Sequence, residues 1–237
     1  MDILALLAFD DTGWGDEMLM GMVITLLVSV SAMAIGLVFS VFATMSKLSN
    51  NVFSRVLGNT YTTVVRGIPE LLVIYLFFFG FNNALMAAAK SLFNYHEYFE
   101  FPVFLTAAIA VGIISGAYST EVIRGSFLAV PKGQIEAAKS VGMSKFQIFH
   151  RILVPQVMRY ALPGLGNVWQ LTLKDTALIS VMAIAEIMRT AQIAAGNTKE
   201  PFVFYIFAAI LYLTLTTVST HALNSAENWA NKGVRRA

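Results

Sequence analysis

EAAKSVGMSKFQIFHRILVP, Glu136–Pro155, is a polar island in an apolar chain, with a charge every few residues. Its turn chemistry is readable. Pro131 suits a first helical position, where its missing N–H costs nothing. A helix from about Lys132 to Val141 is expected to stop at Gly142, which tolerates the left-handed conformation of a C-cap. Ser144 with Gln147 three residues on is a capping-box signature for a second helix. Pro155 is expected to limit that helix. Phe146, Phe149 and Leu153 recur at i, i+3 and i+7 and make one apolar stripe, with Lys145, His150 and Arg151 elsewhere. Two short helices about a glycine, neither able to cross a bilayer, therefore present an apolar face that needs a cover. It either lies on lipid headgroups or docks in a groove of another protein.

The rest of the chain sets the context. Of its 237 residues 57% are hydrophobic and 13% charged, and mean hydropathy is +0.68. Soluble domains carry about 25% charged residues, so an integral membrane protein is expected. Five stretches approach the roughly 20 apolar residues a spanning helix needs: 18–45, 64–88, 101–123, 161–185 and 202–223. The fourth holds Gly164, Gly166, Lys174 and Asp175, and a break there is tolerable if neighbours satisfy the backbone. Lys90, Arg189 and Lys199 fall on one side of these spans. The other side holds Lys47, Arg55 and Arg66, then Arg124, Lys132, Lys139, Lys145, Arg151 and Arg159, and finally Lys232, Arg235 and Arg236. The positive-inside rule then puts the N-terminus outside and the C-terminus and the polar hairpin in the cytoplasm. No basic n-region of a cleavable signal precedes Lys47. The expectation is an all-α integral membrane protein, a single domain over 1–237 with a cytoplasmic loop over about 124–160. Net charge of +2 gives no footprint for nucleic acid, and the absence of cysteine excludes disulfides and thiolate metal sites.

"EAAKSVG", nine residues and then "ILVP" resembles the EAA loop of ABC importer membrane subunits, E-A-A-x-x-x-G-x9-I-x-L-P. Glu136, Ala137, Ala138, Gly142, Ile152 and Pro155 match in register, and Val154 stands where the family has leucine. "RGIPELL" (66–72), "GAYSTEVIRGSFLAVPKGQIEAA" (116–138), "RYALPGLGNVWQLTLKDTAL" (159–178) and "EPFVFY" (200–205) are similar to the polar amino-acid uptake branch. Within it they look like the Q-type subunits of histidine/lysine/arginine/ornithine and opine importers. The resemblance implies a type I importer fold in a bacterial inner membrane and alternating access driven from outside the chain. The hairpin would be the coupling helix seated in an ATPase, with Ala137 and Ala138 allowing close approach. It further implies partners: a pair of ATPases using ATP and Mg²⁺, a second related permease subunit and a periplasmic amino-acid-binding protein. No cofactor is implied in the chain itself, which has no phosphate-binding loop.

Ionisable residues within spans are expensive and are functional candidates. Glu121 closes the third span, either paired with Arg124 at i+3 or facing substrate. Asp175 and Lys174 are neighbours and point about 100° apart on a helix, so they are not expected to pair. Asp175, with Thr172 and Thr176 near the same face, is expected to line a cavity. There it, or Glu121, could hold an ammonium group. Arg66 lies at the mouth of the second span as an anchor or gate contact, and Glu70 is expected to pair with it at i−4. Trp14 and Trp229 read as interfacial anchors. The other reading, a stand-alone secondary carrier or channel, would need its own coupling-ion site and usually an internal repeat. No repeat is visible, and the hairpin would be left without a purpose. No nucleophile–base spacing suggests an enzyme.

Overall fold

The computed structural model describes residues 6–9, 13–93 and 101–231. Asp2, Asp10, Asp11, His96 and the basic tail Lys232, Arg235 and Arg236 lie outside them. Helix α1, Gly15–Leu48, has 34 residues and is about 51 Å long, more than a hydrocarbon core of about 30 Å requires. Asp16 and Glu17 in its first turn and Lys47 in its last complement the helix dipole. Asn51 then caps α2, Val52–Gly67, by accepting the Phe53 and Ser54 N–H groups.

Helix α3, Glu70–Phe93, begins afresh. The expected second span, 64–88, is thus interrupted, and Val64–Gly67 belong to a separate helix. Ile68 is extended at φ −113°, ψ 151°, because the ring of Pro69 disfavours helical backbone in the residue before it. Helix α4, Val103–Ala129, is the most enclosed of the four long apolar helices, with buried residues from Thr106 to Ser126. It packs on α1 through glycine and serine. A Cβ on Gly36 would lie 2.2 Å from Ser115 Oγ, and one on Gly116 would lie 2.9 Å from the Gly36 carbonyl oxygen. Helices associate in lipid by such close backbone approach. The Thr120 and Thr172 hydroxyls donate to carbonyls four residues back, and Thr44 donates to the Thr120 carbonyl across the helix pair.

The hairpin follows as α5, Lys132–Ser140, and α6, Lys145–Gln147. The second hairpin helix was expected to be limited by Pro155, and it is not. The chain widens into a π-helical turn over Ile148–Leu153 and continues as α7, Val154–Asp175. In an α-helix the proline ring would clash with the carbonyl four residues back. Here the Val154 N–H reaches back five residues to the Phe149 carbonyl, and the wider turn admits Pro155 as the second residue of α7.

The break expected in the fourth stretch is present. After Asp175 the chain tightens into a 3₁₀ turn, Thr176–Met182, and Ala183 is left-handed at φ 60°. Helix α8, Ile187–Thr198, leaves at 49° to the preceding rod. Helix α9, Pro201–Ala230, closes the fold. Among the described residues four helices are long and apolar enough to cross a membrane, and the bent pair before α9 supplies a fifth crossing if it counts as one span. Val28, Ile74, Val111 and Ile114 form one core between α1, α3 and α4, while Met18, Leu173, Ile187 and Phe204 form another between α1, α7, α8 and α9. Outside these cores Leu27, Val38, Phe42, Leu76, Leu213 and Val218 are all more than half exposed. Such a surface is stable against lipid and not against water.

Candidate functional site

The hairpin is built by its own turn residues. Gly142 at φ 81° donates its N–H to the Lys139 carbonyl, and Met143 donates to Ala138. That pair of bonds is a Schellman C-cap, and it needs the left-handed residue that glycine supplies. Ser144 accepts the Gln147 N–H at 3.3 Å while Gln147 Oε1 accepts the Ser144 N–H at 2.9 Å, completing the capping box. Glu136 and Ala137 are exposed, Ala138 is buried and Ile152 is half-buried. Val141 and Phe146 are each 76% exposed. Phe146 stacks on the His150 ring at 6.0 Å. The chain itself leaves the apolar tip of its hairpin uncovered.

A second group of polar side chains gathers where α2 breaks into α3. Arg66 does not pair with Glu70, because the break at Ile68–Pro69 separates them and removes the i, i+4 relation. Instead the Arg66 guanidinium lies 5.3 Å from the centre of the Tyr118 ring, and the Tyr118 hydroxyl donates to Glu70 at 3.0 Å. Arg66, Tyr118, Glu121, Asn167 and Leu171 line a cavity of about 250 Å³. Asp175 is half-buried, and the charges that act on it are Glu70 and Lys174. Lys174 makes no ion pair with Asp175 and lines a different cavity, with Tyr205 and Tyr212. Thr172 and Thr176 are fully buried, and their hydroxyls donate to the Val168 and Leu173 carbonyls. The cavity lined by Arg66 and Glu121 takes in neither of them, nor Asp175 or Glu70.

Glu121 is held from both sides. Arg124 Nη2 lies 3.1 Å from Oε2, and the Lys47 ammonium contacts Oε1 and also donates to Thr62 Oγ1 at 2.7 Å. Among the described residues these are the ion pairs that form. They tie α1, α2 and α4 at one end of the bundle. Lys47 sits 74 residues from Glu121, and no local spacing announces the contact. A further carboxylate has no such signal in the sequence, since it lies one residue beyond the expected end of the fourth stretch. Glu186 is fully buried and caps α8, accepting the Met188 and Arg189 N–H groups and the Tyr212 hydroxyl.

A polytopic helical subunit with a cavity lined by Arg66 and Glu121 and a projecting apolar hairpin has the build of a membrane permease. The profile described as the binding-protein-dependent transport system inner membrane component matches residues 36–227, and the chain belongs to that family. It is similar to the nopaline transport system permease protein NocQ of Agrobacterium fabrum, at 51% identity over 98% of each chain. It is 47% identical to the octopine transport system permease protein OccQ of Rhizobium meliloti, over 100% of this chain and 99% of that one. It is 38% identical to the histidine/lysine/arginine/ornithine permease HisQ of Escherichia coli K12, over 95% and 98%. A solved amino acid ABC transporter with histidines superposes at a TM-score of 0.76 and 30% identity, over 91% and 94%. The inward-facing MetNI methionine transporter shares the fold at a TM-score of 0.62 and 12% identity. The chain is thus a non-catalytic inner-membrane permease subunit of an ABC importer. Importers of this family work with an ATPase, which uses ATP and Mg²⁺, and with a substrate-binding protein.

Proposed function

We propose that this chain forms one wall of the path through an importer for amino acids bearing a cationic group, either basic amino acids or opines. The observation that carries this is the charge set around the α2–α3 break. Glu70 and Asp175 offer carboxylates to an ammonium or guanidinium, and Arg66 offers a guanidinium to a carboxylate. Together they complement a zwitterion, and the permease relatives named for nopaline, octopine, histidine, lysine and arginine support the substrate class. The wall is completed by a second, related permease, because Arg66 is exposed on one chain alone and ionisable groups at membrane depth face a partner or a wet cavity. The N-terminus is external and the hairpin cytoplasmic, following the distribution of Lys and Arg. Glu136, Ala137, Ala138, Gly142, Ile152 and Pro155 form or support the element seated in the ATPase. Two nucleotide-dependent positions of that seat select two positions of the bundle.

The test uses the assembled transporter in proteoliposomes. Glu136→Arg is expected to abolish both uptake and binding-protein-stimulated ATP hydrolysis, or to release the ATPase. Asp175→Asn is expected to lose uptake of cationic substrates while ATP hydrolysis stays stimulated. If Glu136→Arg leaves uptake intact, the hairpin is not the coupling element. If Asp175→Asn transports normally, Asp175 does not touch the substrate.

A further inference from the structure

Helix α7 carries the chain about 33 Å away from the hairpin over its 22 residues, and α8 lies at that remote end of the bundle. The turn that carries Asp175 and Thr176 leads directly into it. One polar cluster holds this region to the rest of the protein. Glu186 accepts the Arg189 N–H at 2.6 Å, the Met188 N–H at 2.9 Å and the Tyr212 hydroxyl of α9 at 2.9 Å. The Tyr212 hydroxyl also lies beside the Thr25 hydroxyl of α1 and the Thr176 hydroxyl of the 3₁₀ turn. Thr25 Oγ1 accepts the Ile187 N–H at 3.2 Å and donates to the Gly21 carbonyl at 2.9 Å. Gly21 makes this approach possible, since a Cβ there would lie 3.1 Å from Glu186 C and Ile187 N and 3.2 Å from Thr190 Oγ1. No cation pairs with Glu186 among the described residues. Glu186 itself is fully buried, next in the chain to Ile187 of the core that also holds Met18, Leu173 and Phe204.

A helix cap needs one acceptor, and a short polar residue supplies it. A glutamate sealed among apolar side chains is costly unless every lost water is replaced. Three converging donors replace them here, and two of the three move with α8 while the third belongs to α9. If α8 separates from α9, the buried carboxylate loses the Tyr212 hydroxyl, the one donor that α8 does not itself supply. The contact therefore has a closed state and a broken state with little between them, which is what a gate element requires.

We infer that Glu186 is a positioning residue for transport, the centre of a clamp with Thr25 and Tyr212 that pins α8 and the Asp175–Thr176 turn and keeps this end of the path shut at rest. This rests on the proposed path, and the test separates the two. The chain has no cysteine, so Thr190→Cys adds a single reporter in this subunit, at a site 5% exposed behind the clamp. Maleimide labelling is followed in the assembled transporter, in proteoliposomes, with the partner subunits free of reactive cysteine. Tyr212→Phe keeps the ring and removes one donor. It is expected to speed labelling in the resting state about tenfold, the equilibrium equivalent of one hydrogen bond to a charged group. ATP hydrolysis without binding protein should rise with it. Thr214→Val, which removes a hydroxyl bonded only within α9, should change neither. Glu186→Gln should act in the same direction as Tyr212→Phe. If Glu186→Gln does not assemble, Tyr212→Phe alone decides. Unchanged labelling and unchanged resting hydrolysis in Tyr212→Phe, with only a lower melting temperature, would reduce the cluster to a structural cap. Faster labelling in a transporter that imports no cationic amino acid or opine would keep the clamp and discard the proposed substrate.

Discussion

Lys47→Met is the most informative stability test, because Lys47 is the more enclosed partner of Glu121. The Lys47 side chain is 8% exposed and that of Glu121 23%, while that of Arg124 is 36% exposed. Removing one member of a fully buried pair costs about 3–5 kcal/mol, whereas an exposed pair is worth about 0–1 kcal/mol. Glu121 would keep Arg124, the wetter of its two cations, so the loss falls between these limits, at about 2–3 kcal/mol. Thr62 stays satisfied, since its hydroxyl also reaches the Gly58 and Asn59 carbonyls. For a chain of this size each kcal/mol moves the melting temperature by about 2–4 °C, so Lys47→Met should melt roughly 5–10 °C lower in detergent. Arg124→Ala should lose less, about 0.5–1 kcal/mol. The discriminating variant is Lys47→Met with Glu121→Gln, which removes the stranded charge as well. It should recover at least half of the loss, a coupling of about 1–2 kcal/mol in the double-mutant cycle. Two results would refute the reasoning: Lys47→Met melting with the parent, or a double variant whose losses simply add.

Two further outcomes follow from backbone geometry. Gly36→Ala forces a methyl group to within 2.2 Å of Ser115 Oγ and 2.8 Å of the Gly112 carbonyl oxygen. Overpacking of that kind costs about 1–3 kcal/mol, to be read as a lower melting temperature, while Gly125→Ala, with nothing within 4 Å of the new methyl, should be neutral or slightly stabilising. Gly142→Ala places a side chain at φ 81°, at a cost of about 1 kcal/mol. Because that turn shapes only the hairpin, the variant should leave the melting temperature of the bundle nearly unchanged and, on the proposed coupling, lower ATPase affinity in a pull-down titration.

What the sequence discloses and what it hides divide along one physical line. The hairpin was legible because its signals are local: Gly142 ends one helix and Ser144 with Gln147 starts the next, whatever surrounds them. Helix identity in the apolar stretches was legible for the same reason. Contacts between distant segments were not. Lys47 finds Glu121 only because Gly36, Gly112 and Gly116 let α1 lie close against α4, and that is a property of two surfaces together. Arg66 and Glu70 were expected to pair by a helical spacing that Pro69 cancels. The correct partner of both, Tyr118, looks in sequence like any tyrosine of a span. Pro155 carries the local signal of a stop, and the π-turn that admits it has no strong residue signature.

The continuity of the helix through Pro155 bears on mechanism. Had the second hairpin helix ended there, a flexible joint would lie between the hairpin and the bundle, and movement of the hairpin would be absorbed by it. The chain instead runs as unbroken helical backbone from Lys145 through the π-turn to Asp175. Arg159 Nε bonds the Ala230 carbonyl at 3.0 Å and Gln170 Nε2 bonds Thr220 Oγ1 at 2.9 Å, so this rod is fastened to α9 along its length. Pro163 and Gly164 are its weak points, yet the Cβ that Gly164 lacks would sit 2.6 Å from Val122 Cγ1, so α4 braces the rod there. On the proposed coupling, a shift of the hairpin is therefore delivered to Asp175 and to the turn leading into α8. The parts able to yield are the left-handed Ala183 and the clamp around Glu186.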